Sequence, residues 1–170
     1  MGNYEPLRIL PELERKPEHP RHWWTPITEY IMATFTPHIP FGRKSIESQL
    51  GDRVEFAEAE WLAVGPPLEL TIALLKGIQK EMQSPTWHFI PDDPLFLTLI
   101  PEDDFDFPIA NFGHLLREQF HVRVSREEVL QMWYEGNWTL GRFARELATR
   151  MEAAGTLEAF LRSKVGDARP

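Results

Sequence analysis

Apolar residues recur at helical spacing through the C-terminal half of the chain. Ile109, Phe112, Leu116 and Phe120 form one stripe, and Leu140, Phe143, Leu147 and Met151 form another. Residues three and four apart share a helical face, so each run predicts an amphipathic helix with its stripe turned inward. The first helix is predicted to begin near Pro108. Ser125 with Glu128 predicts a capping box and a shorter helix to about Trp133. Thr139 is placed to cap the next helix, and Gly155 to end it. Leu157, Phe160 and Leu161 mark a last helical segment. Phe112, Leu116, Phe120, Phe143 and Leu147 are expected to be buried together, because two capped stripes have to cover each other.

Upstream, the pattern is interrupted. Fourteen of the fifteen prolines fall at or before Pro108. Leu68, Ile72, Leu75 and Met82 predict a helix that stops near Ser84-Pro85. The connection "TWHFIPDDPLFLTLIPEDDFDF" has no helical period, and its piece "LFLTLI" is compatible with a short strand. Ser45–Leu50 suggests one helical turn stopped by Gly51. Asp52 with Glu55 resembles a capping box, and Val54, Ala57, Trp61 and Val64 follow at helical spacing. "RVEFAEAEW" is also compatible with a strand, but its Ala/Glu content and the Gly65-Pro66 stop favour helix. Thr25-Pro26 opens another helix, with Ile27, Tyr30, Ile31 and Phe35 on one face and a stop before Pro37. Residues 1–22 carry four prolines, with Leu7, Ile9, Leu10 and Leu13 as apolar positions. They read as an arm, either lying on the surface or partly disordered.

Composition narrows the function classes. A chain of 170 residues with 42% hydrophobic and 26% charged residues suits a globular domain. Its net charge of −8 argues against broad nucleic-acid binding, which needs basic surface against phosphates. The absence of cysteine removes disulfides, thiol nucleophiles and Cys-based zinc sites. No apolar run approaches the ~20 residues of a membrane span. A cytoplasmic protein is expected. No P-loop, dinucleotide fingerprint, nucleophile elbow or zinc-protease motif is present.

Over residues 66–151 the order of elements, with three quoted stretches, resembles the acyl carrier protein family. "DDPLFLTLIPEDDFDF" stands where carrier proteins have their loop and Asp-Ser-Leu attachment motif. "NFGHLLREQFHVRVSREEV" resembles their second helix and the acidic start of the third. "NWTLGRFAREL" is similar to their Thr-initiated last helix, while "LQMWYEGNW" is longer than the family pattern. The resemblance implies a four-helix bundle whose attachment serine opens the second helix. One register puts Asp104 at the serine position, and another, which also matches Phe107, Phe112 and Leu116 to family apolar positions, puts Asp106 there. A carboxylate cannot form the stable phosphodiester that a serine hydroxyl forms, so the resemblance implies a carrier-like domain without its prosthetic group. The family presents an acidic second helix to basic partners. Here Arg117 and Arg123 stand against Glu118, with His114 and His121 nearby, and the surface is weakly basic.

The expected protein is therefore mainly α. Residues 1–22 form a Pro-rich arm and residues 23–65 a mostly helical extension. Residues 66–151 form the carrier-like bundle, and residues 152–170 a helical tail. Its expected function is that of a non-catalytic protein-binding or scaffold module for an unknown protein partner, with no cofactor or metal. The binding surface is placed at Asp103, Asp104, Asp106, Arg117 and Arg123. Trp23, Trp24, Trp133 and Trp138 are candidate aromatic anchors, since such rings carry interface energy, although covering the edge of the core is their commoner use. The acidic turn is explained by carboxylates stabilised at a helix N-terminus. The alternative is a metal-dependent or acid/base enzyme using the carboxylates around Asp103–Asp106, joined by a pocket to His88 or His114.

Overall fold

The computed structural model describes residues 4–8, 43–99, 106–135 and 137–167. Eight helices run through the described residues: α1 (Arg43–Gly51), α2 (Glu58–Val64), α3 (Leu68–Met82), α4 (Leu95–Thr98), α5 (Asp106–Phe120), α6 (Arg126–Glu135), α7 (Leu140–Ala153) and α8 (Leu157–Asp167). The fold is mainly α, as the apolar periodicity predicts. The helix proposed over Thr25–Phe35 and the tryptophans Trp23 and Trp24 lie outside the described residues.

α3 is the centre of the body and packs against α2, α5, α7 and α8. Its Leu70, Leu74, Leu75 and Ile78 are fully buried, so it is covered on more than the single face its sequence stripe suggests. α5 crosses it closely at Gly77. A Cβ there would stand 2.6 Å from Leu115 Cδ1 and 2.8 Å from Gln119 Oε1, so any larger residue would force these two side chains to shift. The stripes of α5 and α7 meet as expected. Phe112, Leu116, Phe120, Phe143 and Leu147 are all buried in one cluster, and the Phe112 and Phe143 ring centroids are 5.1 Å apart. The predicted caps at Ser125 and Thr139 form. The Ser125 N–H donates to Glu128 Oε2 at 2.8 Å and the Glu128 N–H to Ser125 Oγ at 3.1 Å. Thr139 Oγ1 accepts from the Arg142 N–H. Gly155 ends α7 in the left-handed region, at φ +68°.

Two local expectations are corrected. The Asp52–Glu55 capping box does not form, and α2 begins only at Glu58, with Ala57 at its N-cap. The preceding residues serve tertiary contacts instead. The Arg53 carbonyl meets His88 Nδ1 at 2.8 Å, the Glu55 N–H donates to the Tyr4 hydroxyl, and Phe56 stacks on Trp87. Val54, placed on the buried face by spacing, is 77% exposed. The strand reading of "LFLTLI" also fails, because Leu95–Thr98 is a single helical turn after Pro94. Its flanks are tied to the start of α7: the Leu95 N–H donates to the Trp138 carbonyl and the Leu140 N–H to the Asp93 carbonyl.

One polar cluster sits inside the core. Arg53 and Asp93 are buried and joined by two parallel bonds, Nη1 to Oδ2 at 2.6 Å and Nη2 to Oδ1 at 2.9 Å. Asp93 also accepts from the backbone N–H groups of Leu7, at 2.9 Å, and Ile90, at 2.8 Å. Arg53 donates to the Glu5 carbonyl at 2.7 Å. Each carboxylate oxygen thus has two donors, which is what a buried charge pair needs to offset its desolvation. The cluster fastens Tyr4–Arg8 to the body, and Leu7 is buried in the core. This part of the N-terminal arm therefore belongs to the packed structure and does not lie loosely on it.

Among the described residues no single helix is long and apolar enough to cross a membrane.

Candidate functional site

α5 and α6 are joined by residues 121–125, and the turn is made by His121 at φ +57°. The Val122 N–H closes back on the Leu116 carbonyl at 3.1 Å. The two helices leave an open groove of about 700 Å³ between them, within the roughly 300–1,000 Å³ typical of ligand-holding clefts. One wall is the α5 stripe Ala110, Gly113, His114 and Arg117; the other is Arg123, Val124, Arg126 and Val129. The α5 wall follows i, i+3, i+4, i+7 spacing and is a different stripe from the buried phenylalanines.

The groove has a small apolar floor and a cationic rim. Three arginines and a histidine line it, and no carboxylate does so among the described residues. Glu118 lies beside it. Arg117 Nε donates to Glu118 Oε1 at 2.9 Å, and that bond holds the Glu118 carboxyl below the usual carboxylate range. His114 Nδ1 is 3.2 Å from Arg117 Nη2. The N-terminus of α6 adds the positive end of its dipole near Arg126.

Gly113 sets the depth of this floor. A Cβ built there meets nothing within 4 Å, in contrast to Gly77. No neighbour among the described residues requires the glycine, yet a mid-helix glycine costs about 0.8–1.0 kcal/mol relative to alanine. Gly113→Ala is therefore expected to raise the stability by about that amount, and Gly77→Ala to lower it. Thermal melts of the two variants against the parent would check this. A lowered midpoint for Gly113→Ala would show that the position is packed.

Two of the five residues expected at the binding surface, Arg117 and Arg123, come together on the groove. Asp106 opens α5, with its side chain outside the description, and Asp103 and Asp104 lie outside the described residues. Sequence spacing did not find Arg126, Gly113 or the apolar floor, because the groove arises from the angle between two helices. Neither a protein family, nor a curated protein, nor a solved structure matches the chain. The site is therefore read from its own chemistry.

The tryptophans take several places. Trp61, 1% exposed, donates its indole N–H to the Phe89 carbonyl at 2.9 Å. Trp138 is half-buried. Arg142 stands over its ring at 4.0 Å, and its N–H donates to Glu135 at 2.8 Å, which holds the Glu135 carboxyl below its usual range. That engagement makes Trp138 a lid on the α6–α7 edge. The side chain of Trp133 lies outside the description. Among the described residues no group of three His, Asp or Glu side chains is placed to hold a metal ion. His88 is bonded to the Arg53 carbonyl and does not line the groove, whereas His114 does.

Proposed function

We propose that the protein is a non-catalytic binding module: a carrier-like helical body without the attachment serine, which offers the α5–α6 groove to a protein partner. The order long helix, long connection, helix, shorter helix, helix over α3 to α7 supports the carrier-like reading. The observation that carries the binding reading is the convergence of Arg117 and Arg123 on an open groove with a small apolar floor. A cationic rim of this kind governs encounter and specificity, and apolar contact supplies affinity.

Two measurements test the two halves of the reading. Incubation with a broad-specificity phosphopantetheinyl transferase and coenzyme A should leave the intact mass unchanged, because aspartate stands at the serine position in both registers. A gain equal to the prosthetic group would end the serine-less reading. Quantitative co-purification should lose at least one protein, the chain's own untagged copies included, when Arg117→Glu and Arg123→Glu are combined. An identical set of recovered proteins for parent and variant would show that the groove is not the recognition surface.

A further inference from the structure

We infer that the occupant of this groove is the α2 face of a second copy of the chain, bound head to tail. The inference rests on the reading of the groove as a binding surface and goes on to name its partner.

The second face is as unexplained by the fold as the groove is. Val54 and Leu62 are the exposed large apolar side chains among the described residues, 77% and 58% accessible. Leu62 lies one turn after Glu58 on α2, so the two share a face. Asp52, Glu55 and Glu58 are exposed in the same stretch, and its one cation, Arg53, is buried against Asp93. The surface from 52 to 62 is therefore acidic with two apolar projections. Lys76 stands over the Trp87 ring and Arg145 reaches the Val64 carbonyl.

The groove is the complement of that surface. It is small-floored where the α2 face projects and cationic where that face is anionic. A Cβ at Gly113 would meet nothing within 4 Å among the described residues, so this point of the floor is open. Arg117, which also holds Glu118, and Arg123 are exposed along the groove. A chain of net charge −8 repels its own copies in general. Self-association then needs opposite charges brought face to face, and these two patches provide them. They lie on different helices, since α2 packs on α3 and α7 whereas the groove is made by α5 and α6. The contact is consequently heterologous, and each copy keeps one free groove and one free α2 face for the next. One short helix in one groove makes a small interface, so the association is weak and transient.

The test uses the full chain and two exposed-surface variants. Sedimentation velocity in low salt, from about 10 to 500 µM, should show the average mass of the parent rising with concentration. Raising the salt to about 0.5 M should weaken the association at least tenfold. Arg117→Glu/Arg123→Glu, which spoils the groove, and Leu62→Asp, which spoils the α2 face, should each stay monomeric with unchanged melts. Mixed together they should form a 1:1 dimer and nothing larger, because only one intact groove and one intact α2 face can meet. A parent that remains monomeric overturns the inference, as does a mixture that fails to pair. Self-association lost in the groove variant but kept in Leu62→Asp also overturns it, because a different face would then fill the groove. If the parent stays monomeric while the groove variant still loses a captured protein, the groove reading stands and only its occupant has been named wrongly.

Discussion

Asp93→Ala should cost about 3–5 kcal/mol, the range for removing one member of a buried ion pair. Arg53 would keep its charge in the core with no counter-charge, and the Leu7 and Ile90 N–H groups would lose their acceptor. Against the roughly 5–15 kcal/mol of net stability usual for a domain, this is enough to bring the chain near unfolding. Urea denaturation of parent and variant gives the number. Arg53→Met/Asp93→Leu should lose less than the sum of the two single changes, since it removes both charges together. A loss below about 1 kcal/mol for Asp93→Ala would mean that water reaches and satisfies the arginine.

Phe112→Ala and Phe143→Ala should each cost about 3–5 kcal/mol, the transfer free energy of a buried ring plus the cavity it leaves. Both rings are buried, at 0% and 2% exposure, and they touch across the α5–α7 contact. The double variant should therefore fall short of additivity by about 0.5–1.5 kcal/mol, the usual coupling of an aromatic pair. Full additivity would show that the rings act through separate neighbours. An unshifted melting midpoint in either single variant would contradict the packing itself.

What the sequence displayed clearly were the elements whose stability is local. The stripes of α5 and α7, the Ser125–Glu128 box and the Thr139 cap depend on residues three or four apart, and all of them form. Residues 52–57 and 95–98 were misread because distant partners decide them. Arg53 answers to Asp93, forty residues away, and Glu55 to Tyr4, fifty-one away. A capping box worth about 1 kcal/mol loses to that competition. The binding surface was half visible for the same reason. Arg117 and Arg123 stand out as cations near a helix junction, whereas the groove they share depends on how α5 and α6 diverge in space. The small residues that give it depth carry no signal in a pattern that counts large apolar side chains.

The Arg53–Asp93 pair also constrains how such a sequence can drift. Either residue changed alone leaves a charge stranded in the core, so the path from this pair to an apolar one passes through a poorly folded intermediate. Changing both together does not fully open that path, because the Leu7 and Ile90 N–H groups and the Glu5 carbonyl would still need partners. Three separate stretches of the chain, around residues 5–7, 53 and 90–93, are thus tied to one another's history. Descendants of this sequence should keep arginine and aspartate at these two positions together, or replace them along with Tyr4–Arg8, while the exposed face of α8 varies around them.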